Sequence, residues 1–174
     1  MITILVGKSA SGKDTLMKKM LEEGYSPIIS STTRPMRTGE KNGVEYHFLT
    51  DREFKYLEDT GYFMEVRRYN TLVAGEPAVW AYGSPKVNPD EKNWITILDV
   101  EGTEEYIKFY GKEDIRVIVL EVSDEERERR AKIRGSFDKT EWNRRLADDN
   151  VKFSREKIEK LKDLALNFEL KVNE

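Results

Sequence analysis

A three-layer α/β fold around a parallel central sheet is the class this sequence predicts, and three observations predict it. Residues 2–6, Ile-Thr-Ile-Leu-Val, form a β-branched run that leads through a short glycine-containing loop into an apolar set at Leu16, Met17, Met20 and Leu21 with helical spacing. Two further buried-strand patterns, Trp94-Ile95-Thr96-Ile97-Leu98-Asp99-Val100 and Ile115 to Val122, alternate with helical segments. At 174 residues the chain is long enough for one domain with a sizeable core, and it needs no staples to hold it.

The first strand opens on the most informative loop. Gly7-Lys8-Ser9-Ala10-Ser11-Gly12-Lys13 has the G-x-x-x-x-G-K spacing of a P-loop, in the strand-to-helix context that the motif requires. Such a loop turns successive backbone N–H groups toward a phosphate at a helix N-terminus, and Lys13 adds a point charge for β/γ phosphate oxygens. The motif's usual Ser or Thr after the lysine is replaced by Asp14, with Thr15 next. Asp14 is a hard oxygen ligand that can serve Mg²⁺ directly or through water, and Thr15 is placed to reach a phosphate oxygen.

Helix 1 stops at Glu23-Gly24, and a short strand is expected around Ile28-Ile29. Residues 43–50 alternate as a strand. Asp51 is placed to cap a helix over 52–59, which Gly61 ends, and 62–69 is extended. Residues 70–90, with Gly75, Pro77, Gly83, Pro85 and Pro89, read as loop. A crossover helix over 101–110 ends at Gly111. Charged helix follows from Asp124 to Arg134, is broken at Gly135-Ser136, and resumes over about 140–166 before a last strand near 168–172. Residues 31–90 thus read as an insertion with its own small, mostly β structure.

Composition excludes several classes. Charged residues make up 36% against 38% hydrophobic, and no apolar run approaches a membrane span. A net charge of −3 gives no global field for nucleic acid, so anion binding must come from local arginine and lysine clusters. The absence of cysteine removes disulfides and thiolate metal sites and fits a cytoplasmic setting. A first strand that begins at residue 2 is expected to leave no room for a targeting peptide.

The second informative stretch is Ser30-Ser31-Thr32-Thr33-Arg34-Pro35-Met36-Arg37-Thr38-Gly39-Glu40, followed by Tyr46 and Phe48. Two guanidinium forks three residues apart, with hydroxyl donors, make a clamp for a second small anion. This stretch resembles the nucleotide-monophosphate-binding signature of the guanylate kinases. The resemblance continues through Phe63-Met64-Glu65, Tyr82-Gly83-Ser84, Ile97-Leu98-Asp99 and Arg130 to Leu146. It implies a P-loop core (1–30 and 91–123), a GMP-binding insertion (31–90), a lid (about 124–150) and a C-terminal helix and strand (151–174).

The resemblance also implies roles. Gly7, Lys8, Ser9, Ala10, Ser11, Gly12, Lys13, Asp14 and Thr15 would bind ATP. Ser30, Arg34, Arg37, Tyr46, Tyr82 and Ser84 would hold GMP or dGMP, with Glu65 reading guanine N1–H and the 2-amino group. Asp99 would orient Mg²⁺ beside Asp14. Lys13, Arg37, Arg130, Arg134 and Arg145 would stabilise the transferring phosphoryl group. The family's Asp-x-Asp-x-Gln-Gly stretch is shortened here to Asp99-Val100-Glu101-Gly102, which offers Glu101 as a second guanine contact. The connection over 69–80 is longer than usual, and the resemblance runs out at Lys171-Val172-Asn173-Glu174, before the family's final helix.

Three alternatives stay open at this point: a related kinase for ribose 1,5-bisphosphate, a kinase for another deoxynucleotide, and a non-catalytic scaffold module of the same family. The expected partners are small nucleotides rather than nucleic acid or membrane, with the chain a monomer or homodimer. His47, the single histidine, has no chemical task in any of these.

Overall fold

The computed structural model describes residues 1–73, 76–133 and 137–172. In chain order the elements are β1 (Ile2–Val6), α1 (Lys13–Glu22), β2 (Ser26–Pro27), β3 (Ser31–Thr32), β4 (His47–Phe48), α2 (Asp51–Asp59), β5 (Phe63–Val73) and β6 (Glu76–Pro85). There follow β7 (Trp94–Ile97), α3 (Val100–Tyr110), β8 (Ile115–Glu121), α4 (Asp124–Ile133), α5 (Lys139–Lys152), α6 (Arg155–Leu164) and β9 (Asn167–Val172). They fall into two compact units, one of Met1–Pro27 with Pro89–Glu174, the other Ile28–Asn88.

The first unit holds the parallel sheet, in the order β2-β7-β1-β8-β9. Strand β1 is central and every one of its residues is buried, as a parallel strand covered on both faces must be. Leu5 packs with Met20, Ile95, Ile118 and Leu120 beneath Leu16, Met17 and Leu21 of α1. Ile2, Ile4 and Val6 alternate to the opposite face and are equally buried, so helices cover both sides. The three-layer expectation holds.

The second unit is a small sheet ordered β4-β3-β6-β5 with α2 laid against it. Its core is Phe54, Phe63 and Ala81, with Leu49, Leu57 and Val66 around them. Helix α2 begins at Asp51, the expected cap, one residue earlier than the expected start, and Thr50 is the cap instead. Thr50 accepts from the Glu53 backbone N–H, and the Glu53 carboxylate accepts from the Thr50 N–H, a reciprocal capping box.

Elsewhere the structure departs from the sequence reading. The strand expected at Ile28-Ile29 forms two residues earlier, where β2 pairs with β7. The strand expected over 43–50 shrinks to β4. The helix expected over 140–166 breaks at Phe153, where Ser154 caps α6 by accepting from the Lys157 N–H. The largest departure lies in 70–90. Most of that stretch belongs to a long antiparallel hairpin, with Tyr69 facing Trp80 and Val73 facing Glu76. Pro77 and Pro85 are tolerated because β3 pairs with β6 only at Tyr82 and Gly83, leaving both prolines beyond its reach.

Candidate active site

Each unit carries its own group of candidate residues. In the first, the P-loop joins β1 to α1. Gly7 is obligatory for space: a Cβ there would meet the Leu120 carbonyl oxygen at 2.7 Å and Ser11 Oγ at 2.9 Å. Gly12 is the N-cap of α1, so the loop delivers its last N–H groups to a helix N-terminus. Lys13 Nζ reaches back to donate to the carbonyls of Gly7 (2.7 Å) and Lys8 (2.8 Å), which holds the ammonium over the loop. Ala10 sits at φ 60, the left-handed region, the one non-glycine residue to do so among those described. For an alanine that conformation costs about 1–2 kcal/mol.

Asp14 lies in the first turn of α1, exposed beside Thr15. The register Leu5↔Ile97 between β1 and β7, continued two residues, brings Asp99 level with Gly7. Asp99 Oδ1 also accepts from the Gly102 N–H at 2.9 Å, so the acid caps α3 and its carboxylate is oriented by that cap. Glu101, in the same first turn, is exposed and pairs with Lys157 at 3.3 Å. Two hard-oxygen carboxylates on elements flanking a phosphate loop fit a phosphate-bound Mg²⁺, which keeps several waters and asks for only one or two protein ligands.

Helix α4 carries Arg130 and helix α5 carries Arg145, two of the three expected lid arginines. Arg130 Nε donates to Glu126 at 2.6 Å, and its NH1 approaches the carbonyl of Ser11 at 3.4 Å. Glu126 also takes Arg129, and these two arginines, Arg129 first, pull its pKa down to about 2. Arg145 is exposed on α5, and Arg134 lies outside the described residues. Arg127, which composition assigns to a solvated helix face, is instead fully buried, the one buried residue of α4.

In the second unit, the geometry turns on one β-bulge. Phe63 faces Pro85, yet Glu65 faces Ser84, so Met64 is an extra residue on β5. Pro85 and Ser84 are neighbours and point to opposite faces; the bulge therefore puts Phe63 and Glu65 on opposite faces too. Phe63 goes to the apolar core, close over Gly83, where a Cβ would meet its ring at 2.7 Å. Glu65 goes to the polar face. There Ser84 Oγ donates to Glu65 Oε1 (3.1 Å) and contacts Ser30 Oγ (3.2 Å), while Arg67 Nε donates to Glu65 Oε2 (2.8 Å). Ser30, Glu65 and Ser84 thus form one connected group, with Glu65 only 9% exposed at the side chain.

Arg34 and Arg37 differ. Arg34 is buried, its fork on Glu40 (NH2 to Oε1 2.8 Å, NH1 to Oε2 3.1 Å) and its face 5.6 Å from the Tyr46 ring centroid. The Glu40 bond raises the guanidinium's pKa, and Arg34 in turn holds Glu40 below the usual carboxylate range, helped by the Arg37 N–H. Arg37 is exposed at the side chain. Tyr46 and Tyr82 meet edge to face at 5.7 Å, and burial, ahead of the neighbouring Tyr82, pushes the Tyr46 hydroxyl's pKa up.

Sequence reasoning missed Arg67 and Glu40 as parts of these networks, and it missed the buried pair that Arg127 makes with Asp149 of α5. Glu40 stands inside the quoted motif, and Arg67 two residues beyond Glu65 in an alternating strand, so both carried a legible signal. Arg127 and Asp149 carried none beyond the nearby apolar Trp142.

A parallel sheet with β1 between β7 and β8, and a glycine-lysine loop feeding α1, defines a P-loop α/β fold. The chain belongs to the guanylate kinase family: the family model described as guanylate kinase matches residues 1–160. A guanylate kinase of Sphingopyxis alaskensis is 33% identical over 76% of this chain and 60% of that protein. One of Prochlorococcus marinus is 33% identical over 88% of this chain and 82% of that protein. In fold, the chain is similar over its full length to the crystal structure of guanylate kinase from Anaplasma phagocytophilum, with a TM-score of 0.64, 22% identity and 77% of that chain covered. Among the described residues no helix is long and apolar enough to cross a membrane.

Proposed function

We propose that the protein is a cytoplasmic guanylate kinase, moving the γ-phosphoryl group of ATP to GMP or dGMP. The observation that carries this is the Ser30–Ser84–Glu65 group on the polar face of β5 and β6. A carboxylate so held can accept guanine N1–H and the 2-amino group side by side. Adenine lacks that pair of donors, and the buried acceptors would go unmatched.

In this reading the amides of residues 7–13 and the α1 N-terminus bind the β and γ phosphates, with Lys13 over them. Asp14 and Asp99 hold Mg²⁺ or its waters; the ion neutralises charge on the triphosphate. Arg34 positions the acceptor-side loop through Glu40, and Arg37, Tyr46 and Tyr82 take the GMP phosphate. Glu101 is the further acid offered to the base. An oxygen of the GMP phosphate forms the new P–O bond as the bond from γ-phosphorus to the β–γ bridging oxygen breaks, and ADP leaves. That oxygen is already anionic, so no general base is needed, which leaves His47 without a catalytic task. Arg130, Arg134 and Arg145 stabilise the charge spread over the equatorial oxygens.

The test is coupled ADP release with Mg²⁺–ATP and GMP, dGMP, AMP, UMP, dTMP or ribose 1,5-bisphosphate as acceptor. Turnover confined to GMP and dGMP is expected. Turnover with ribose 1,5-bisphosphate alone would overturn the reading of the base pocket, and silence with GMP still bound would make the protein a binding module.

A further inference from the structure

The first unit contains a buried charge pair that the phosphoryl-transfer scheme does not use. Arg127 of α4 is 0% exposed at the side chain and Asp149 of α5 only 8%, and Arg127 NH2 donates to Asp149 Oδ2. Two ions removed from water to this extent are a poor route to stability unless every donor and acceptor is matched. Here the matching partner is the P-loop. The Ser9 N–H donates to Asp149 Oδ2 (2.8 Å) and Ser9 Oγ to Asp149 Oδ1 (3.2 Å), while the Ser9 carbonyl accepts from Arg127 Nε (2.8 Å). The remaining fork arm, Arg127 NH1, reaches Asp124 at 2.6 Å, and the guanidinium lies 5.5 Å from the Trp142 ring centroid. Ser9 is therefore held from both sides, by its N–H and by its carbonyl. Lys8 adds a third hold by donating to Asn150 Oδ1 at 2.7 Å.

The residue after Ser9 is Ala10, at φ 60. A side chain in the left-handed region persists only where its surroundings fix it. Arg127 stands one turn before Arg130 on α4, and Asp149 one turn after Arg145 on α5, so the same pair joins the bases of both helices to the loop.

We propose that Arg127 and Asp149 are positioning residues for ATP. They grip the Ser9 peptide, hold the strained Ala10 turn in its phosphate-binding shape, and act on the triphosphate through the loop without touching it. This rests on the P-loop being the ATP site.

The experiment is a double-mutant cycle of Asp149→Asn and Ala10→Gly, read by calorimetric Kd for Mg²⁺–ATP, Kd for GMP, and Tm. Asp149→Asn keeps the volume but loses the charge, and should raise the ATP Kd about tenfold, the size expected for a charge-assisted bond. GMP Kd should stay within about twofold. Ala10→Gly, which removes the strain the pair restrains, should recover much of that loss in the Asp149→Asn background, with its effect in the parent measured as the reference arm of the cycle. Should Asp149→Asn fail to fold, Arg127→Lys, which keeps the charge but not the fork, should give the same split. A lowered Tm with ATP Kd unchanged would make the pair merely structural, and equal effects of Ala10→Gly in both backgrounds would uncouple it from the strained turn. Either result overturns the proposal while leaving the kinase reading intact. A parent protein that binds no Mg²⁺–ATP would overturn both.

Discussion

The two groups of candidate residues, one in each unit, are built by different means. In the P-loop group the proposed contacts are mainly backbone: amides, a helix N-terminus, and a lysine folded over its own loop's carbonyls. In the Glu65 group they are side chains, placed by sheet register and by one bulge. The contrast teaches that a backbone site writes its requirements into local sequence, whereas a side-chain site depends on partners far along the chain. Ser30 and Ser84 meet across 54 positions; Gly7 and Lys13 meet across six.

The sharpest way to break the contrast is at Lys13. Lys13→Ala should lower kcat/KM by about a thousandfold, the loss of a charge aimed at the transferring phosphoryl group. Calorimetric GMP affinity should remain within about twofold, because the Glu65 group does not depend on it. A parallel loss of GMP binding would mean that the two groups do not act separately.

Next comes Glu65→Gln. Its amide would turn an N–H₂ toward Ser84 or Arg67, both of which now donate to it, so the group must rearrange. Discrimination of GMP over AMP should fall about a hundredfold in kcat/KM, with ATP KM little changed. Unaltered selectivity would remove Glu65 as the base reader.

The smallest effect concerns Glu126, whose carboxylate is drawn down to about 2 by Arg129 and Arg130. Because the folded value lies below the ordinary 4.5, the pairing supports the fold above pH 4.5 and is lost as pH falls toward 2. NMR titration of the Glu126 carboxylate should give a midpoint near 2, moving up in Arg129→Ala. A midpoint near 4.5 in the parent would show that these exposed pairs are not held in solution.

The same contrast explains what was legible in the sequence. The central sheet, α1 and the P-loop could be read because apolar runs, glycines and lysine fall at fixed local spacing. The Arg34 loop and Glu65 were legible through a long motif. The β5–β6 hairpin was not, because Gly75, Pro77, Gly83 and Pro85 count as breakers until one knows that β3 is two residues long. Arg127 was hidden by its neighbours. Glu125, Glu126 and Glu128 describe a water-facing helix, and the buried partner that reverses this, Asp149, lies 22 residues further on.

The strand order also sets a timetable for synthesis. Strand β1 is made well before its two neighbours, β7 and β8, which are drawn from residues 94–97 and 115–121. The hairpin and α2 of the second unit lie between, and their partners are near in sequence. The second unit can therefore close while β1 still waits for its neighbours. Until β7 and β8 are made, β1 has neither of its sheet neighbours, and an unpaired apolar strand edge is the kind of surface that invites aggregation.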